Sequence, residues 1–135
     1  MRFFTSMILL LSSHIANAEL PKQKLLVIHS SYCGHCQKWI DEVAKSFEDQ
    51  AKAHGIKSVP DLKLYDVTET EGQNLVETMT KEKVLTKPVN AVPAFIILDE
   101  NGNEKTNCRM AGYSSKTEWF NNAKAMIERC TKSTN

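Results

Sequence analysis

No stretch of this sequence is long and apolar enough to cross a membrane as a stable helix, and no repeat, low-complexity tract or linker divides it. A surplus of one charge is missing too. Its 17 Lys and Arg stand against 16 Asp and Glu, a formal net charge of +1. Near neutrality makes nucleic acid or an anionic surface a poor partner, because both are held by an excess of basic side chains. With 135 residues, the chain has room for one core and too few for two.

What is present begins with an export signal. Arg2 precedes the short apolar run Met7-Ile8-Leu9-Leu10-Leu11, and small residues follow, ending Ala16-Asn17-Ala18. The run is too short for a bilayer span, and the Ala-x-Ala ending suits signal peptidase. Residues 1–18 are therefore expected to be a signal peptide cleaved after Ala18, leaving residues 19–135 as a single domain. Loss of Arg2 would balance the charges. The residue directly after the cleavage point is Glu19 and not Cys, which argues against a lipid anchor. The destination is the periplasm or the exterior, where disulfides persist, and all four Cys lie in the mature part.

Periodicity then gives the order of elements. Lys24-Leu25-Leu26-Val27-Ile28-His29 is an apolar run of the kind buried on both faces of a sheet. Cys36, Trp39, Ile40, Val43 and Phe47 recur at helical spacing, predicting one amphipathic helix that stops near His54-Gly55. A second strand is expected over Leu62 to Val67. Thr70 and Gln73 have capping-box spacing and predict a helix running towards Leu85, ended by Lys87-Pro88. Ala94-Phe95-Ile96-Ile97-Leu98 reads as a third strand, and Asn101-Gly102 as a turn into a fourth between Glu104 and Met110, closed by Gly112. Ser115 and Glu118 cap a last helix that carries Trp119, Phe120, Ala123, Ile127 and Cys130 on one side. The order β-α-β-α-β-β-α combines helical crossovers with a hairpin, so the fold is α/β: a mixed sheet of about four to five strands flanked by helices on both faces.

Chemistry concentrates at Cys33-Gly34-His35-Cys36, at the start of the first helix. A helix N-terminus favours negative charge through its unpaired amides and dipole, so Cys33 should ionise more readily than a free thiol. His35, when protonated, adds to this. Cys36 lies on the apolar stripe one turn deeper. That asymmetry makes Cys33 the exposed nucleophile and Cys36 the buried resolving thiol. A c-type haem site would need His where Gln37 stands. Zinc would want a second close pair of ligands, and a purely structural staple would constrain little chain.

The strand, the Cys-x-x-Cys at a helix start, the helical crossover, Val92-Pro93 before an apolar strand and the Asn-Gly hairpin together resemble the thioredoxin superfamily over residues 20–130. The Gly34-His35 dipeptide is similar to that of protein disulfide isomerases. The resemblance implies a thioredoxin fold, thiol–disulfide exchange without a cofactor or metal, a cis Pro93 lying against Cys33–Cys36, and a Val92 backbone that pairs with substrate. It also implies a reduction potential of roughly −150 to −230 mV. A reductase is the first expectation, since there is no room for the dimerisation domain of dedicated isomerases or the inserted helical domain of dedicated oxidases. Expected partners are cysteine-containing exported proteins and a membrane redox protein, and the chain is expected to act as a monomer. The sequence departs from the family at Val27, where thioredoxins bury an acid. His29, two residues on, is a candidate for the missing proton acceptor. Tyr32 is expected at the rim of the site. A binding module that offers Cys33, His35 and Cys36 to copper is the alternative.

The remaining Cys pair is read from its elements. Alternation along the fourth strand turns Thr106, Cys108 and Met110 to one face, with Cys108 inward, and Cys130 falls on the buried stripe of the last helix. A structural disulfide between Cys108 and Cys130 is favoured over two free buried thiols.

Overall fold

The computed structural model describes residues 22–132. The expected signal peptide and its cleavage point lie outside these residues. Strand β1 (Lys24–His29) pairs in parallel with β2 (Asp61–Asp66) and antiparallel with β3 (Ala94–Leu98), and β4 (Glu104–Ala111) pairs antiparallel with β3. The strand order is β2-β1-β3-β4. Its central position explains the composition of β1: Leu25, Leu26, Val27 and Ile28 are each at most 1% exposed.

Alternation along β1 feeds two cores. Leu25 and Val27 join Trp39, Phe95, Trp119 and Phe120 on one face, while Leu26 and Ile28 join Leu85, Ile96 and Leu98 on the other. The first face is covered by α1 (Gly34–Glu42), α2 (Phe47–Ala53) and α4 (Lys116–Lys132); α3 (Thr70–Lys81) sends Val76 and Met79 to the second. The architecture is thus the mixed sheet with helices on both faces that the sequence predicts. Ring packing dominates the first core, with Trp39 5.0 Å from Phe95 and 5.5 Å from Trp119 between ring centres.

Three local expectations are corrected. The single helix expected from Cys36 to His54 is broken between α1 and α2 by a 3₁₀ turn, Ala44–Ser46. In an unbroken helix at ~100° per residue, the apolar stripe would rotate by about 120° between Trp39 and Ala51. The break returns Val43, Phe47 and Ala51 to the same core. Gln50 Nε2 satisfies the Glu42 carbonyl exposed at the break, at 2.9 Å. Gly55 ends α2 with φ +87°, as expected.

The capping box at Thr70 does not form. Glu69 is the N-cap without a side-chain hydrogen bond, and Gln73 Nε2 instead donates to the Val67 carbonyl at 2.8 Å. The helix stops at Lys81, well short of Leu85. Lys83 takes φ +65° there, with Lys83 N–H bonding to Thr80 O and Val84 N–H to Met79 O. These are the two hydrogen bonds of a Schellman cap, built on a lysine in place of the usual glycine. At the other end of α3, a Cβ on Gly72 would collide with the Asp66 carbonyl, so the helix sits directly on the end of β2.

On β4, strict alternation fails. The register shifts between Ile96↔Arg109 and Leu98↔Glu104, and Asn107 adopts φ +60°. Thr106 is consequently exposed and Lys105 buried, the reverse of the expectation, whereas Cys108 still points inward. Cys108 is disulfide-bonded to Cys130, with Cα atoms 6.1 Å apart. Lys105 Nζ donates to the Cys130 carbonyl, adding a second tie between β4 and the last turn of α4. The cap of α4 forms in part: Ser115 Oγ accepts from Glu118 N–H at 3.3 Å, while the Glu118 carboxylate accepts from Ser114 Oγ.

Candidate active site

Cys33 is the N-cap of α1, with φ −98° and ψ 110°. Its extended backbone turns the Sγ back over the first turn, where the sulfur accepts a hydrogen bond from Cys36 N–H at 3.1 Å. An amide at a helix start has no carbonyl partner within its own helix, so a sulfur placed there fills the role of a capping side-chain oxygen. The two cysteines are disulfide-bonded, with Cα atoms 5.2 Å apart. Cys33 is half-buried and Cys36 has no exposure. Gly34, His35 and Tyr32 are exposed, Tyr32 at 89%.

The chain returns to this point through the loop before β3. The Val92–Pro93 peptide is cis, Pro93 is buried, and the Val92 carbonyl lies 3.7 Å from Cys33 Sγ. Of the residues singled out from the sequence, Tyr32 to Cys36 thus follow the C-terminal end of β1, and Val92, next to the buried Pro93, reaches Cys33 from a distant loop. Cys108 and Cys130 belong to the first core and form their own bond.

A network that the sequence pattern does not reveal holds the loop into Cys33. Thr68 Oγ1 accepts from Ser31 N–H and bonds Ser30 Oγ, both at 2.8 Å. Asp66 accepts from Ser31 Oγ at 2.6 Å and from Thr68 N–H at 2.8 Å. The Ser31 hydroxyl first, then the Thr68 amide, hold the Asp66 carboxyl down to about 2. Ser30 O accepts from Cys33 N–H at 3.1 Å and from Gln37 Nε2 at 3.2 Å. The one local signal is Asp66-x-Thr68, an Asx-turn spacing that ends β2.

His29 pairs across the sheet with Asp66 in register. Its Nδ1 is buried without a hydrogen-bond partner, and burial lowers the imidazole pKa below 6.5 against the opposing pull of Asp66. Val27, where thioredoxins carry an acid, is fully buried among apolar side chains. The copper alternative finds no support: among the described residues no group of three or more His, Cys, Asp or Glu is arranged to hold a metal ion.

No protein-family model matches the chain, and no curated protein matches it. Solved structures do. A periplasmic thioredoxin, SoxS, from Paracoccus pantotrophus is similar with a TM-score of 0.54 at 17% identity, over 80% of this chain and 98% of that one. Thioredoxin NaTrxh from Nicotiana alata gives 0.51 at 19% identity, covering 89% and 84%. A thioredoxin-fold protein from Helicobacter pylori gives 0.55 at 12% identity, covering 85% and 75%. With its strand order, its Cys-x-x-Cys at the head of α1 and its helices on both faces, this chain has the thioredoxin fold.

Proposed function

We propose that the protein is a thiol–disulfide oxidoreductase working through Cys33 and Cys36. The observation that carries this is a half-buried Cys33 whose sulfur accepts from the Cys36 amide at a helix start, bonded to a fully buried Cys36. In the reduced protein, the same amide would stabilise the Cys33 thiolate, and the thiolate is the attacking form.

The chemistry runs in two exchanges. The Cys33 thiolate attacks one sulfur of a substrate disulfide, forming a mixed disulfide and releasing the other substrate sulfur as a thiolate, which takes a proton. Cys36, deprotonated, then attacks Cys33 Sγ. The Cys33–Cys36 disulfide forms, the second substrate sulfur leaves and is protonated, and two electrons have passed to the substrate. A dithiol donor restores the reduced pair. We read the favoured direction as reduction. Cysteine-containing exported proteins are the proposed substrates and a membrane electron carrier the donor, on the strength of the export signal at residues 1–18. The structural similarity to a periplasmic thioredoxin from Paracoccus pantotrophus agrees with such a compartment.

Insulin reduction driven by dithiothreitol tests the reading. Wild type should turn over, Cys33→Ser should be inert, and Cys36→Ser should accumulate a mixed disulfide on Cys33. Activity that survives Cys33→Ser would overturn it.

A further inference from the structure

One buried ion pair is not explained by the fold alone. Glu104 and Arg109 flank the irregular stretch of β4, and their side chains are only 2% and 13% exposed. Arg109 Nε donates to Glu104 Oε2 at 2.9 Å and one terminal nitrogen to Glu104 Oε1 at 2.7 Å. Burying such a pair gains little net stability, because desolvation offsets the attraction. Its other bonds are more telling.

The guanidinium also donates to two loop carbonyls, Lys87 O at 2.9 Å and Pro88 O at 2.8 Å. Glu104 Oε1 accepts from Thr86 N–H at 2.8 Å, and Glu104 N–H bonds to Val84 O at 2.8 Å. Four loop residues, Val84, Thr86, Lys87 and Pro88, are therefore fastened to two residues of one strand. The loop is pinned again at its far end, where Gly112 N–H bonds to Pro93 O at 2.9 Å. Between the anchors runs the segment that brings the Val92 carbonyl to Cys33. The same segment supplies Pro88, Val89 and Val92 to one wall of an open apolar cleft of about 360 Å³, opposite Val67 and Val76 on the α3 side.

We propose that Glu104 and Arg109 are positioning residues, whose ion pair fixes the 84–92 loop so that its backbone at Val92 aligns a peptide segment across the Cys33 sulfur. The inference rests on the oxidoreductase reading above. It assigns the pair to recognition of peptide disulfides and leaves the reactivity of the sulfur itself to the head of α1. Arginine suits this place better than lysine, since a planar fork with five donors reaches a carboxylate and two carbonyls together.

The experiment compares a peptide disulfide, insulin, with a non-peptide one, oxidised mercaptoethanol, using dithiothreitol as donor. Arg109→Gln should lower kcat/KM for insulin by about tenfold, through KM, as expected for a misplaced binding segment. Its rate on oxidised mercaptoethanol, its reduction potential and the alkylation rate of Cys33 should match wild type. Arg109→Lys keeps the charge without the fork; it should show a smaller loss of the same kind, and it decides the matter if Arg109→Gln does not fold. Equal losses on both disulfides, or no loss on insulin, would overturn the proposal while leaving the oxidoreductase reading intact. A wild type inert towards both would overturn both readings.

Discussion

The carbonyl oxygen of Val92 faces the sulfur of Cys33 across 59 residues of sequence, at 3.7 Å. Two separate loops meet there, and whatever enters the gap must touch both. Val92 also lines the apolar cleft between the 84–92 loop and α3. Val92→Asp would bring a carboxylate to this edge, and like charge disfavours ionisation. The pH midpoint of Cys33 alkylation should rise by about one unit relative to wild type. A midpoint that stays put would mean that the cleft and the sulfur do not share an environment.

The hydrogen bond to Cys33 Sγ comes from the backbone amide of Cys36, so the thiolate stabilisation proposed for the reduced protein should outlast removal of the Cys36 sulfur. In Cys36→Ser, iodoacetamide should alkylate Cys33 with a midpoint below the ~8.5 of a free thiol. A midpoint at the free-thiol value would show that the helix start contributes nothing.

The Cys108–Cys130 bond closes a loop with a sequence separation of 22. The chain-entropy account gives such a closure about 3 kcal/mol. Denaturant unfolding of a Cys108→Ala, Cys130→Ala variant should show a loss of that size, with insulin reduction retained when assayed well below the midpoint. Abolished turnover in the folded variant would give this pair a role in electron transfer.

Two groups near the site set the acid limb of stability, both in the same sense. Asp66 falls from 3.8 to about 2 on folding, so its contribution is present above 3.8 and disappears as pH drops through about 2. His29 is also depressed on folding, from 6.5, so the folded state resists its protonation and stability declines as pH falls below 6.5. Asp66→Asn should flatten the stability profile between about pH 4 and 2, and His29→Gln should flatten it just below 6.5. Unchanged slopes in urea titrations would contradict the assignment.

Gly72 lies inside α3, where Ala is ordinarily better by about 1 kcal/mol. Here a Cβ meets the Asp66 backbone, which cannot step aside without moving β2 and the Ser31–Thr68 network. Overpacking of this kind costs about 1–3 kcal/mol and should win. Gly72→Ala is therefore expected to lower the unfolding midpoint; a rise would mean that the helix can shift away from the sheet.

Much of this arrangement was legible because period and burial agree. Lys24–His29 and Ala94–Leu98 are fully apolar inside, and both strands run between the bounds that their composition suggests. The positions of Cys33 and Cys36 followed from the stripe formed by Cys36 and Trp39. Signals failed where a side chain or an extra residue replaced the regular pattern. Thr70 could cap α3 as well as Glu69 on spacing alone, and Lys83 gave no hint that it would adopt a positive φ. The irregularity of β4 inserts residues out of phase, which hid both the burial of Lys105 and the approach of Glu104 to Arg109. Asp66, Thr68 and Ser31 meet only once β1 and β2 are side by side, a contact that no local periodicity encodes.

That same irregularity bears on what the sheet will not do. β4 is an outer strand, and its free rim would otherwise offer a straight row of amides and carbonyls to a stranger's chain. With Asn107 twisted to φ +60°, those groups fall out of step with any regular newcomer. The opposite rim, β2, presents Asp61 and Lys63, whose charges deter stacking. The kink thus doubles as a safeguard against edge-to-edge clumping.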